Sequence, residues 1–325
     1  MDRCINRKLT DKESIGIINA VFQGRTPFTK KDIAERKAIH ENNRLKVDAL
    51  RAIPIVEQKS AEWHEIRRNL ITASDFAQAL GEGKFGTQKQ LYRKKCGFED
   101  DSFNSNLAPL VWGNMFEQVA QTIYAQRNDV HVYEFGIIKH PTLDFFGASP
   151  DGITENGIMI EIKCPYKRKI NGEIPSQYYY QIQGQLDVCD LQECDYFECE
   201  FSDMGAEAPD PSTCIFEYGA IVQRDNMVPK YLYSETKRSW VTNELETWVK
   251  DNTANESDII HYYKLDTCNC LRVERNKTFL EEKLELLRGV WEKVSEYRSD
   301  ESLYKKEISK TSKYSRSLKL DDYIL

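Results

Sequence analysis

Long apolar runs, basic charge and metal-type cysteine spacing are all missing from this chain of 325 residues. No apolar stretch approaches the roughly 18–20 residues that a membrane-crossing helix needs, so the sequence predicts no bilayer span. Its 45 lysines and arginines stand against 52 aspartates and glutamates, a formal charge of −7. That balance excludes a protein coated in basic surface for non-specific nucleic-acid binding, although a local basic groove is enough to hold phosphates. Of the nine cysteines, Cys189, Cys194 and Cys199 recur every five residues and Cys268 and Cys270 stand one residue apart. Neither pattern is a common zinc or iron–sulfur spacing. An odd count in a chain long enough to bury its own core predicts unpaired thiols and a reducing, intracellular location. Behind the charges of Met1, Asp2 and Arg3 lies no apolar segment, so no secretory signal is predicted.

The hydrophobic pattern alternates between helical and strand periods. Residues 14–22 and 30–49 read as helices polar enough for an N-terminal extension over 1–55, with a boundary near Ile53-Pro54-Ile55. Helices are predicted over 61–69, from the Thr72/Ser74 caps to 80, and over 88–95, with loop at 97–108. The clearest helix is 110–127, where Trp112, Phe116, Val119, Ala120 and Ile123 form one stripe. Strands are predicted over 130–138, 145–148 and 157–163, a helix over 176–186, strands over 196–201 and 214–222, and helices over 239–250 and 279–297. The order implies an α/β core with a mixed sheet, a main domain over 56–300 and a polar tail over 301–325.

Chemistry concentrates in the middle of that domain. Glu117 sits at the rim of the apolar stripe, Asp151 lies in the turn Ser149-Pro150-Asp151-Gly152, and Glu161 and Lys163 are two apart on a strand, hence on one face. Facing carboxylates repel, and a divalent cation with a taste for oxygen ligands relieves the repulsion. Such an ion lowers the pKa of its water, and a neighbouring lysine can orient that water. Ile162 between them points into the core, leaving its carbonyl as a further ligand. Taken singly, Glu-x-Lys on an exposed strand is commonly a solvated ion pair and Asp-Gly commonly a turn; it is their ordered combination that points to a site.

The run 61–201 resembles the lambda-exonuclease family, the YqaJ-like viral recombinase nucleases of the PD-(D/E)XK superfamily. The resemblance rests on Trp63-His64-Glu65-Ile66-Arg67, Ile71-Thr72-Ala73-Ser74, Trp112-Gly113 followed by Glu117, Gly147-Ala148-Ser149-Pro150-Asp151-Gly152, Ile160-Glu161-Ile162-Lys163-Cys164-Pro165 and Tyr180-Gln181-Ile182-Gln183-Gly184-Gln185-Leu186. It implies a restriction-endonuclease-like core, a central mixed β-sheet flanked by helices. It also implies a 5′→3′ exonuclease that degrades one strand of duplex DNA from its ends with two Mg²⁺ ions, Mn²⁺ substituting. Carried over, Asp151, Glu161, Glu117 and the Ile162 carbonyl hold metal, Lys163 positions water with Gln181 beside it, and Arg67, Ser74 and Thr72 receive the terminal 5′ phosphate. Independently of the resemblance, a guanidinium with a hydroxyl near a helix start suits an anion, and a surface ion pair is the plainer reading of Arg67. Lys167-Arg168-Lys169 is the sharpest basic cluster, suited to phosphate contacts or to an ordinary exposed loop.

Two further functions stay open at this level: a structure-specific DNA endonuclease of the same superfamily, and a catalytically inactive DNA-binding scaffold for recombination. The family resemblance also implies double-stranded DNA ends as partner, a single-strand annealing protein, and a ring-like homotrimer, with a monomer equally compatible with the sequence. It implies a viral origin and action on viral DNA inside a host cell.

Overall fold

Strand β6, Ile158–Lys163, organises the molecule, because its alternation sorts side chains onto two buried faces. Ile160, Ile162 and Cys164 enter one hydrophobic cluster while Met159 enters another on the opposite side. A strand covered on both faces has room for polar side chains only where they find partners, which is why Glu161 and Lys163 stand out.

The computed structural model describes residues 30–56, 60–84, 86–98, 107–224 and 229–308. Helix α1 (Lys30–Arg51) is followed by α2 (Ala61–Arg68), whose N-cap Ser60 accepts from the Trp63 amide. Strand β1 (Ile71–Thr72), a 3-10 turn (Ala73–Asp75) and α3 (Phe76–Ala79) lead to α4 (Gln88–Cys96), started by a Thr87/Gln90 capping box and ended at Gly97 with φ +72°. Helix α5 (Ala108–Asn128) carries the expected stripe: Phe116, Val119, Ala120 and Ile123 are buried, and Phe116 stacks on Phe201 at 4.6 Å between centroids.

The remaining strands are β2 (Val132–Tyr133), β3 (Ile138–Lys139), β4 (Phe146–Ala148), β5 (Gly152–Thr154), β7 (Glu193–Gly205), β8 (Tyr218–Arg224), β9 (Lys230–Tyr233) and β10 (Ile259–Glu274). A seven-stranded mixed sheet runs β2-β5-β6-β7-β10-β8-β9, with β6 and β7 parallel and its other pairs antiparallel; a three-stranded sheet runs β1-β4-β3. Helix α5 covers the Ile160/Ile162 face, and α6 (Ser176–Val188) covers the Met159 face through Ile182 and Leu186. Helix α7 (Glu244–Asn252) lies on β8. Helices α8 (Leu284–Ser299) and α9 (Glu301–Glu307) close the second core with Leu287, Val294 and Tyr304. The mixed sheet flanked by helices is the architecture expected from the sequence.

Several boundaries differ. The strand expected over 130–138 is two short strands in different sheets, parted at Gly136, where a Cβ would meet the Val56 amide at 3.1 Å. β10 is sixteen residues long, of which only the end at Val273-Glu274 resembled a strand in the sequence; two register shifts against β7 interrupt its first half. The polar tail begins later than 301, since Tyr304 and Ile308 are buried; residues 309–325 lie outside the described part. So do residues 14–22, while α1 is docked rather than a free arm: Val47 enters the core and Lys46 pairs with Asp190 at 2.6 Å. No helix among the described residues is long and apolar enough to cross a membrane, and their eight cysteines are unpaired, four of them buried.

Candidate active site

Asp151 stands at the mouth of β5, next to β6, and its geometry is set by the backbone. Its Oδ2 accepts from the Ile162 amide at 2.7 Å, and its main-chain oxygen accepts from Gln121 Nε2 of α5 at 3.1 Å. The Ile162 side chain is buried on the α5 face, so its peptide is pinned, and the carboxylate with it.

Glu161, fully buried, faces α6. Its Oε1 receives the Lys163 ammonium and its Oε2 receives Gln185 Nε2 at 2.8 Å. The same ammonium donates to the Ile162 carbonyl at 3.1 Å, stands 4.0 Å from Asp151 Oδ2, and lies 5.1 Å from the centre of the Tyr178 ring. One positive charge therefore addresses Glu161, Ile162 and Asp151, three of the four oxygen sources that the sequence singled out as ligands. Glu117 and Asp151 line one cavity of about 530 Å³ together with Asn114, Gln121 and Tyr233.

The electrostatics follow from this crowding. Burial, then the charges of Glu161 and Glu117, push the Asp151 carboxyl well above the usual carboxylate range, with Lys163 opposing. Burial by itself would lower the Lys163 ammonium, but Glu161 and Asp151 outweigh it and hold the proton on. Among the described residues no three acidic, thiol or imidazole side chains form a ready-made metal cage; the oxygens that converge are two carboxylates and a peptide carbonyl.

Gln185 occupies the place expected of Gln181. Among the described residues no hydrogen bond joins Gln181 to Glu161 or Lys163, whereas Gln185, one helical turn on, bonds both Glu161 and, at 3.4 Å, the Ser149 carbonyl. The helix is set by Gly184, where a Cβ would lie 3.0 Å from Phe76 and 3.1 Å from Phe146. The signal was present in the sequence: residues four apart share a helix face, so Gln181 and Gln185 were equal candidates.

The second expected group also assembles. Arg67 Nη2 donates to Ser74 Oγ at 3.1 Å and to Thr72 Oγ1 at 3.3 Å, and its guanidinium lies 4.5 Å from the centre of the Trp63 ring. Beneath them is a feature that the sequence reading missed. Buried Asp75 accepts from Thr72 Oγ1 at 2.7 Å, Lys95 Nζ at 2.7 Å and Lys94 Nζ at 2.8 Å. Burial alone would raise the Asp75 carboxyl; Lys94, Lys95 and Arg67 overcome it and hold the group well below the usual range. Burial lowers Lys95 to about 8 in spite of Asp75.

Arg168 is committed to fully buried Glu198, and Lys169, itself exposed, pairs with Glu200, both acids on β7; Lys167 is exposed as well. The parallel register that sets Glu198 opposite Lys163 is invisible in the sequence, and it makes Arg168 a structural partner.

Residues 62–192 match the YqaJ-like viral recombinase domain family, a stretch that contains both clusters. The chain is 28% identical to an uncharacterized protein of Acanthamoeba polyphaga mimivirus over 96% of this chain and 65% of that protein. It is 28% identical to a protein of African swine fever virus over 40% of this chain and 46% of that protein. The chain thus spans less than two thirds of the length of these relatives. Among solved structures, the alkaline exonuclease LHK-Exo from Laribacter hongkongensis is similar over 76% of this chain and 97% of its own, with 20% identity and a TM-score of 0.46. A phage-related exonuclease from Haemophilus somnus is similar over 74% of this chain and 99% of its own, with 11% identity and a TM-score of 0.43.

Proposed function

We propose that this chain, whose residues 62–192 form a YqaJ-like viral recombinase domain, is a metal-dependent 5′→3′ exonuclease that degrades one strand of duplex DNA from its ends. The observation that carries the reading is the convergence of Asp151, Glu161 and the Ile162 carbonyl on one ammonium, Lys163. The oxygen-only donor set fits Mg²⁺ or Mn²⁺, and burial followed by the charges of Glu161 and Glu117 raises the Asp151 carboxyl, charges that a cation would relieve. When bound there, such ions supply a water of lowered pKa and neutralise charge on the scissile phosphate.

The chain's own groups do the rest. The Ile162 amide holds Asp151 in one orientation, and Gln185 holds one oxygen of Glu161. With a cation held by Asp151, Glu161 and the Ile162 carbonyl, Lys163 would keep its proton and would orient a water by donating a hydrogen bond to it. The Arg67–Ser74 pair supports polarity: a guanidinium and a hydroxyl next to a helix start suit a terminal phosphate, so the 5′ end is the one held. The domain match supports a role in recombination of viral DNA in a host cell; a single-strand annealing protein as partner and a ring-like trimer as assembly extend that reading from the family resemblance alone.

Incubating the protein and Mg²⁺ with linear duplexes labelled at one end, and with covalently closed circles, tests this directly. The expected result is loss of 5′ label from linear DNA as mononucleotides, intact circles, and no reaction in chelator. Nicked or linearised circles would make the protein an endonuclease; inert DNA with folded protein would make it a scaffold.

A further inference from the structure

The Asp75–Lys95 pair beneath the anion pocket has no part in holding metal or water, yet it is one of the most thoroughly buried charge pairs in the protein: side-chain exposure is 4% for Asp75 and 0% for Lys95. We propose that Asp75 and Lys95 are positioning residues that set how strongly the Arg67–Ser74 pocket distinguishes a phosphorylated 5′ end from a hydroxyl one, with Thr72 as their relay and not a phosphate ligand. The inference rests on the pocket being a receptor for the terminal phosphate.

A hydroxyl has one proton. That of Thr72 goes to Asp75 Oδ2 at 2.7 Å, the shortest contact Thr72 makes, and the Thr72 amide adds a second bond to the same oxygen at 3.3 Å. Thr72 Oγ1 is left to accept, and it faces Arg67 Nη2 at 3.3 Å and Ser74 Oγ at 3.0 Å. It has no proton left for a phosphate oxygen. Ser74 differs: it is exposed and accepts from Arg67, and its proton, which by this accounting bonds Thr72 Oγ1 at 3.0 Å, can swing outward to an anion. The donors for a phosphate are thus Arg67 and Ser74, and Thr72 aims them.

Lys95 fixes this arrangement at two points. Its ammonium bonds Asp75 Oδ2 at 2.7 Å and the main-chain oxygen of Arg67 at 2.8 Å. The backbone that carries the guanidinium and the acid that orients Thr72 are thereby tied to one atom. Lys95 is itself held: Arg298 of α8 donates to its carbonyl at 2.7 Å and to that of Arg68 at 2.8 Å. Buried as it is, the pair cannot slacken without breaking.

The test compares the full-length wild type with Thr72→Val, Thr72→Ser and Asp75→Leu/Lys95→Met, in which apolar groups of similar size replace the buried charges. Affinity is measured for blunt duplexes bearing a 5′ phosphate or a 5′ hydroxyl, with Ca²⁺ replacing Mg²⁺ to withhold hydrolysis. Wild type prefers the phosphate; Thr72→Val and the double variant each cut that preference by about tenfold, the loss of one charge-assisted bond, with hydroxyl-end affinity unchanged. Thr72→Ser keeps it. A folded double variant with the wild-type preference would overturn the inference and leave Asp75 and Lys95 as parts of the fold. Should the double variant not fold, Thr72→Val decides by the same ratio. A wild type indifferent to the phosphate would overturn the receptor reading and this inference with it.

Discussion

Asp151 and Asp75 are the same residue type, both beside a lysine and both largely removed from water, yet their carboxyls shift in opposite directions. The neighbours account for it. Around Asp151 stand Glu161 and Glu117 against Lys163, three carboxylates to one ammonium; around Asp75 stand Lys94, Lys95 and Arg67, three cations to one carboxylate. Burial raises the cost of charge in both places, and the count of partners decides which sign is left over. The first cluster lacks positive charge and suits a cation; the second has positive charge to spare and suits an anion. A metal-dependent enzyme that grips the phosphate at a DNA end needs one of each.

The largest effect that separates the two is catalytic. Asp151→Asn should lower hydrolysis of linear duplex by about a thousandfold, the scale of losing transition-state charge stabilisation. Its thermal midpoint should stay the same or rise, because the amide still accepts from Ile162 and no longer repels Glu161; a clear fall in midpoint would break the comparison. Asp75→Asn should do the reverse. It leaves fully buried Lys95 without its carboxylate and should cost about 3–5 kcal/mol in a denaturant melt. The sign with pH is fixed by the depressed Asp75 carboxyl: its contribution is complete above the unfolded value of about 3.9 and is lost as pH falls through the lower folded value. Wild type and Asp75→Asn should therefore converge in stability only in strong acid, and a constant gap down to that range would contradict the assignment. A smaller effect sharpens the view of the basic loop. Arg168→Ala should destabilise the fold measurably, since Glu198 is buried, whereas Lys169→Ala, exposed and paired with Glu200, should leave stability unchanged. Duplex affinity should change less than about threefold in Lys169→Ala at moderate salt.

How much of this was legible depends on sequence distance. Glu161 and Lys163 are two apart, so strand period alone puts them on one face, and Asp151 follows because the hairpin β5–β6 brings the turn beside Ile162. Gln185 was not singled out, only Gln181; helix period sets both on one face, and telling them apart needed the seat of Gly184 against Phe76 and Phe146. Arg67, Thr72 and Ser74 lie within eight residues and were found; Lys95, twenty residues beyond Asp75, was not, since nothing in Arg93-Lys94-Lys95-Cys96 distinguishes the buried lysine from exposed Lys94 beside it. The first half of strand β10 is interrupted by register shifts, and the buried acid that pairs with Arg168 comes from the parallel neighbour strand, which the sequence does not show.

The sharing of one divalent cation by Asp151 and Glu161 is best put to the test by titrating Mn²⁺ into the protein and following free ion by electron paramagnetic resonance, without DNA. Wild type should take up Mn²⁺, and Asp151→Asn and Glu161→Gln should each lose most of that binding while remaining folded. Uptake by folded Asp151→Asn equal to that of wild type would mean that the ion, if it binds at all, binds elsewhere.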